Sequence, residues 1–234
     1  MIRPSPPSVR SSDGEGAEVP RLPPCPSRPV QLRHVCSLTG EAYVARRAWR
    51  EASLAVCPRH PRGGCGLVRH GTYPRTTPVG MRIARYYCPT AHETFSLLPD
   101  GLASHFPGEL DPIEQVVATV EAAGSVEAAA ERLRPEITLA SAVRWIRRRL
   151  IPVRLALLTV VTLLPDLFTG DARLAAVRGA LATTSALTTL RTHAAPHLAV
   201  LPRPLGFRPR PRRRDAAARA APHAMGADGT GPKR

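Results

Sequence analysis

The chain has 234 residues, with 33 lysines and arginines against 18 acidic residues and a formal net charge of +15. That length suits one or two small domains and excludes a large enzyme core. The positive balance selects polyanions as partners, either nucleic acid or an anionic membrane surface.

The basic residues are almost all arginine, Lys233 being the lone lysine, and asparagine is absent. Part of the Arg, Ala and Pro bias therefore reflects the codons of a GC-rich genome. Nucleic acid is favoured over membrane, because the charge sits beside a metal-site signature and not on a long amphipathic helix. Residues 1–29 are rich in Pro, Ser and Gly and hold no apolar run of signal-peptide type. They are expected to form a disordered tail. Apolar patterning returns over residues 30–56, read as an N-terminal helical segment with its helix from Tyr43 to Trp49. Five cysteines make an odd set without a secretory context, which argues for metal ligation and against a disulfide framework. Cys25 and Cys36 have no partner at ligand spacing and are read as spare thiols.

Residues 57–100 differ in kind. Cys57-Pro-Arg-His60-Pro-Arg-Gly-Gly-Cys65 opens this stretch, and Cys88-Pro-Thr-Ala-His92 follows a β-like run. Structural zinc takes four sulfur or nitrogen ligands, commonly as two close pairs brought together by a hairpin. The first pair is Cys57 with Cys65, or Cys57 with His60 as the alternative; the second is Cys88 with His92. Between them, Gly66 to Arg75 and Met81 to Tyr87 read as two strands joined by a turn at Thr76 to Gly80, a zinc-ribbon-like hairpin. His70 is expected on the strand surface, outside the metal site. A catalytic zinc with Glu93 as base is disfavoured, because a hairpin offers no pocket.

These residues carry a resemblance. Cys57-Pro, Cys65-Gly, Arg69-His-Gly-Thr-Tyr-Pro-Arg75, Arg85-Tyr-Tyr-Cys88-Pro and Thr94-Phe-Ser-Leu-Leu-Pro99 resemble the zinc-binding front end of bacterial insertion-sequence transposases. They are also similar to short transposase-like proteins that join this ribbon to a helix-turn-helix. The resemblance spans residues 35–168 and implies Cys57, Cys65 and Cys88 as zinc ligands. His92 stands where that family more often has Cys, and His60 lies within a lengthened first loop.

Residues 109–168 are helical in period. Asp111-Pro112 opens a first helix that buries Ile113, Val116, Val117 and Val120 and stops at Gly124. Ser125 caps a second helix with Val126, Ala129, Ala130 and Leu133 on one face. After Pro135, Thr138 or Ser141 caps a third, with Leu139, Val143, Ile146 and Leu150 inward. The order predicts a helix-turn-helix whose last helix presents Arg144, Arg147 and Arg148 to duplex DNA. Trp145 is read as a core anchor. Leu155 to Leu164 is shorter than the roughly 18 to 20 residues of a membrane span and reads as a buried helix, with a homodimer contact expected there. Residues 169–201 continue as a helical extension, and 202–234 form a basic, Pro/Arg-rich tail expected to be disordered.

The expected fold is mainly α, with a small β-hairpin zinc ribbon, a helix-turn-helix-like three-helix segment and disordered termini. After Glu136 only Asp166, Asp171, Asp215 and Asp228 are acidic, too few and too scattered for a carboxylate-based nuclease core. Neither a Gly-rich phosphate loop nor a G-x-S-x-G elbow occurs. The expected function is non-catalytic binding of duplex DNA by a Zn2+-stabilised, cytoplasmic, nucleoid-associated protein. The competing expectation is a zinc-stabilised interaction module, or a transposase fragment with no DNA-binding role.

Overall fold

The computed structural model describes residues 30–209, Thr169 excepted. The first element is a strand, β1 (Val30–His34), followed by the short helix α1 (Gly40–Ala45) and a 3-10 turn at Ala48–Arg50. Then come β2 (Val68–Pro74), β3 (Arg82–Cys88) and β4 (Glu93–Pro99). Five helices complete the described chain: α2 (Leu110–Ala123), α3 (Val126–Leu133), α4 (Leu139–Leu163), α5 (Leu174–Leu181) and α6 (Ala186–His193).

The hairpin expected from the sequence is present as β2 and β3, and it belongs to a larger sheet of order β1-β4-β3-β2. β1 runs parallel to β4, with Val30 opposite Phe95 and His34 opposite Pro99; the other pairings are antiparallel. The fold is therefore mixed α/β, in place of a mainly α chain carrying one hairpin. Residues 30–56, expected as a helical segment, begin with a strand because β4 needs a second partner for its backbone groups. Thr94-Phe-Ser-Leu-Leu-Pro99 is buried throughout, as a central strand covered on both faces should be. On one face Ile83 and Leu98 join the main core, and on the other Ala84, Tyr86, Phe95 and Leu97 pack with Cys57, Cys65 and Cys88.

The helical half follows its predicted punctuation at the α2–α3 junction, whereas α2 starts at Leu110 with Glu109, not Asp111, at its cap position, and Thr138 stands at the cap of α4 without a side-chain cap bond. Gly124 ends α2 in the left-handed region at φ 73, and Ser125 Oγ accepts from Ala128 N at 3.0 Å to cap α3. α2, α3 and α4 pack on one another, with five residues between α3 and α4. Of the four positions expected inward on α4, Ile146 and Leu150 are buried and Val143 is half-buried, while Leu139 is 46% exposed. α4 then runs on through Pro152. The expected helix from Leu155 to Leu164 is thus the last part of α4, which ends at Leu163, with Ala156, Leu157 and Val160 buried.

Two glutamates of α2 have structural roles that surface reading of an acidic helix misses. The Glu121 carboxylate accepts from Leu174 N (2.8 Å) and Ala175 N (3.0 Å), capping α5. Glu114, with no solvent exposure, accepts from Ala186 N (3.0 Å) and Leu187 N (2.8 Å) and pairs with Arg178 at 2.8 Å. Each carboxylate satisfies free N–H groups at the positive end of a helix.

A second buried charge fixes the chain's return. Arg191 is fully buried and donates to the carbonyls of Asp100 (2.7 Å), Leu102 (2.6 Å), Pro204 (2.8 Å) and Leu205 (3.0 Å). Burial lowers its pKa to about 9, against the opposing effect of Asp100, so it stays protonated at neutral pH. This corrects the tail boundary at Pro202: Pro202, Pro204, Leu205 and Phe207 are all buried in the main core or against it. The residues of the tail beyond Pro209, like residues 1–29 with Cys25, lie outside those described.

Candidate metal centre

Cys57, His60, Cys65 and Cys88 offer ligand atoms that all lie within 4.8 Å of one another. Local turns bring them there. Cys57 and His60 form an isolated bridge in which His60 N donates to Cys57 O at 3.0 Å, and Gly63 N then donates to His60 O at 2.9 Å. Gly63, Gly64 and Gly66 take φ values of 80, 78 and 64, a left-handed path that a side chain would oppose and that turns Cys65 back toward Cys57. Cys88 ends β3, and Ala91 N donates to its Sγ at 3.4 Å across the turn into β4. Thr90 Oγ1 donates to Cys65 O at 3.3 Å, tying the two loops together. Arg59 clamps the first loop to the start of β4 through both oxygens of Glu93, at 2.6 and 2.9 Å.

The donor set and spacing suit zinc. His60 Nδ1 is 3.6 Å from Cys57 Sγ and 3.4 Å from Cys88 Sγ. Bonds of about 2.3 Å to sulfur and about 2.0–2.1 Å to nitrogen, set tetrahedrally, place a sulfur and a nitrogen about 3.6 Å apart. Three thiolates with one imidazole are soft donors of the kind that structural zinc takes. All three cysteines are buried, at 5% exposure or less, as a closed structural site requires. Burial would raise the Cys57 thiol, but hydrogen bonds from His60, from the backbone of Arg59 and His60 and from Cys88 outweigh it and bring it down to about 7. Cys65 moves the other way, raised first by burial and then by its two sulfur neighbours. Bound as thiolates, all three would be held by the metal's own charge.

His60 and Cys65 enter the cluster together instead of competing for one place, and His92 stays outside it. His92 sits just after the Cys88 turn with φ 50, its ring exposed and its Nδ1 3.2 Å from Tyr87 Oη. The readable signal was the C-x-x-H step from Cys57 to His60, the ligand spacing of a tight knuckle. The glycine-rich loop then lets one stretch of nine residues supply three ligands. Glu93, considered as a base, is engaged by Arg59, which holds its carboxyl below the usual range. His70 is exposed on β2, with its ring 5.7 Å from Tyr87. Cys36 is half-buried and apart from the cluster.

The second candidate surface lies on α4. Arg144, Arg147 and Arg148 are all exposed, and Arg147 pairs with Glu127 of α3 at 3.6 Å. Trp145 is half-buried between two guanidiniums, Arg149 at 3.8 Å and Arg134 at 5.1 Å from its ring centroid. Further along, Ile151, Leu155 and Leu158 are 62%, 53% and 56% exposed, so this part of α4 is half core and half open apolar face. Among the described residues no helix is long and apolar enough to cross a membrane. Comparison with family models, with curated proteins and with solved structures gives no match, so the chemistry assigned to this chain rests on its own residues.

Proposed function

We propose that the chain is a non-catalytic protein that binds duplex DNA, with zinc at Cys57, His60, Cys65 and Cys88 holding the sheet and α4 lying against the DNA. The observation that carries this reading is the composition of the α4 face. Arg144, Arg147 and Arg148 project from α4, the third of three consecutive packed helices, and among the described residues only Arg147 has an ion-pair partner, at the long distance of 3.6 Å. Exposed cations without partners cost little in water and are available to phosphates. The order α2, α3, turn, α4 supports a helix-turn-helix-like use of α4, and the sequence resemblance to transposase front ends points the same way. The positive chain as a whole would steer DNA toward that face, which implies a cytoplasmic, nucleoid-associated protein.

The test is a titration of random-sequence duplex DNA with the whole chain and with the triple variant Arg144→Ala, Arg147→Ala, Arg148→Ala. The remaining basic residues are common to both, so the difference isolates α4. A loss of tenfold or more in affinity, with an unchanged melting curve, is expected. Equal affinities would remove α4 from the interface.

A second reading rests on the exposed Ile151, Leu155 and Leu158, which recur at the i, i+4, i+7 spacing of a helix-pairing stripe. On that reading α4 pairs with α4 of a second copy, and Leu155→Glu would turn a dimer into a monomer in sedimentation.

A further inference from the structure

A groove of about 810 Å³ runs between the first half of α4 and the Phe106–Pro107 turn, with Arg203 on its far wall. Arg144, Arg147, Arg148, Arg149 and Arg203 line it, and among the described residues no carboxylate does. Two of these guanidiniums converge on one ring: Arg149 and Arg203 each lie 5.9 Å from the Phe106 centroid. Arg149 is also stacked on Trp145 and donates to Trp145 O at 3.0 Å, so its head group is fixed. Burial and the nearby Arg134 and Arg148 disfavour its charge. Among the described residues Arg144, Arg148, Arg149 and Arg203 form no ion pair. The repulsion that Arg134 and Arg148 exert on Arg149 is relieved when an anion joins them.

Arg203 is held in place by the core. Its neighbours Pro202, Pro204 and Leu205 are buried, and Arg191 binds the carbonyls of Pro204 and Leu205. We propose that this groove is a phosphate seat for the DNA backbone, in which Arg148, Arg149 and Arg203 grip one phosphate beside the α4 face. The interface thereby includes the C-terminal return of the chain. The proposal rests on the DNA-binding reading above and adds to it a contact supplied from outside the three-helix segment. Guanidinium forks match phosphate geometry, and continuity with Arg144 and Arg147 places the seat along the same strand of DNA.

The experiment uses the whole chain and random-sequence duplex DNA, with affinity measured across a range of salt. Arg203→Ala is compared with Arg154→Ala, which removes the same charge from a different groove, beside the α2–α3 turn. Each phosphate contact contributes roughly −0.9 to the log–log salt slope. Arg203→Ala should shrink the slope by about 0.9 and weaken binding several-fold, while Arg154→Ala leaves the slope as it was. Arg203→Lys keeps the charge and the packing, and should keep the slope while losing part of the affinity. Equal effects from Arg203→Ala and Arg154→Ala would overturn the seat, reducing it to general charge. The triple α4 variant separates the two levels. If it weakens binding and Arg203→Ala and Arg203→Lys do not, the seat is wrong and the DNA reading stands; if none weakens binding, the DNA reading itself fails.

Discussion

The Cys/His cluster and the α4 face put their polar groups to opposite uses. At the cluster, three buried thiols and a half-buried imidazole bring their donor atoms within 4.8 Å of one another. On α4, the arginines turn outward, and most have no acidic partner among the described residues. A group enclosed with its partners stabilises the fold, whereas a charge left open is available to something outside it. The glutamates of α2 sharpen the contrast: Glu114 and Glu121 are consumed in capping α6 and α5, while Glu127 of α3 reaches Arg147 on the arginine face.

The largest effect expected on the enclosed side is loss of the metal. Purified protein should carry about one zinc per chain, and structural zinc contributes apparent binding free energies of about 10–16 kcal/mol in small zinc domains. Cys88→Ser or strong chelation should abolish the cooperative unfolding of the sheet. His60→Ala should lower zinc content while His92→Ala leaves it unchanged, with elemental analysis as the readout. The reverse pattern would return His92 to the site.

Next in size is the end of the described chain. A chain ended before Pro202 loses Leu205 and Phe207 from the core, each worth about 2–5 kcal/mol, and leaves Arg191 without two of its acceptors. It should unfold at markedly lower denaturant than a chain ended after Pro209. Glu114→Ala follows, at about 3–5 kcal/mol, because Arg178 and two helix N–H groups lose a buried partner. The smallest effect bears on the open side. Glu127→Gln frees Arg147 from an exposed pair worth less than about 1 kcal/mol. Stability should hardly change, and DNA affinity should rise slightly.

What could be read from the sequence was local. Gly124 and Ser125 announced the α2–α3 junction, and the β2–β3 hairpin followed from alternation and a turn, because such signals are complete within a few residues. The cluster was legible in its three cysteines, whereas His60 was read only as an alternative to Cys65 and His92 was taken as the fourth donor. Whether His60 or His92 reaches Cys88 depends on how two loops are folded against each other, and His60 lies 28 residues away. β1 is short, and its partner β4 begins at Glu93, so nothing near Val30 marks it as a strand. Nothing near Glu114 marks it as buried, because its partners follow it by 64 to 73 residues. Near Pro202, the proline and arginine content concealed Leu205 and Phe207, whose burial is settled by contacts with distant core residues.

The most direct test of the central claim is the salt dependence of duplex DNA binding by the whole chain and by the Arg144→Ala, Arg147→Ala, Arg148→Ala variant, each loaded with zinc. If the open arginines of α4 neutralise phosphates, the variant's log–log slope should be shallower by about 2.7, roughly 0.9 for each lost contact. Coincident slopes, with both proteins folded and zinc-bound, would contradict the account and leave α4 as a solvated helix face.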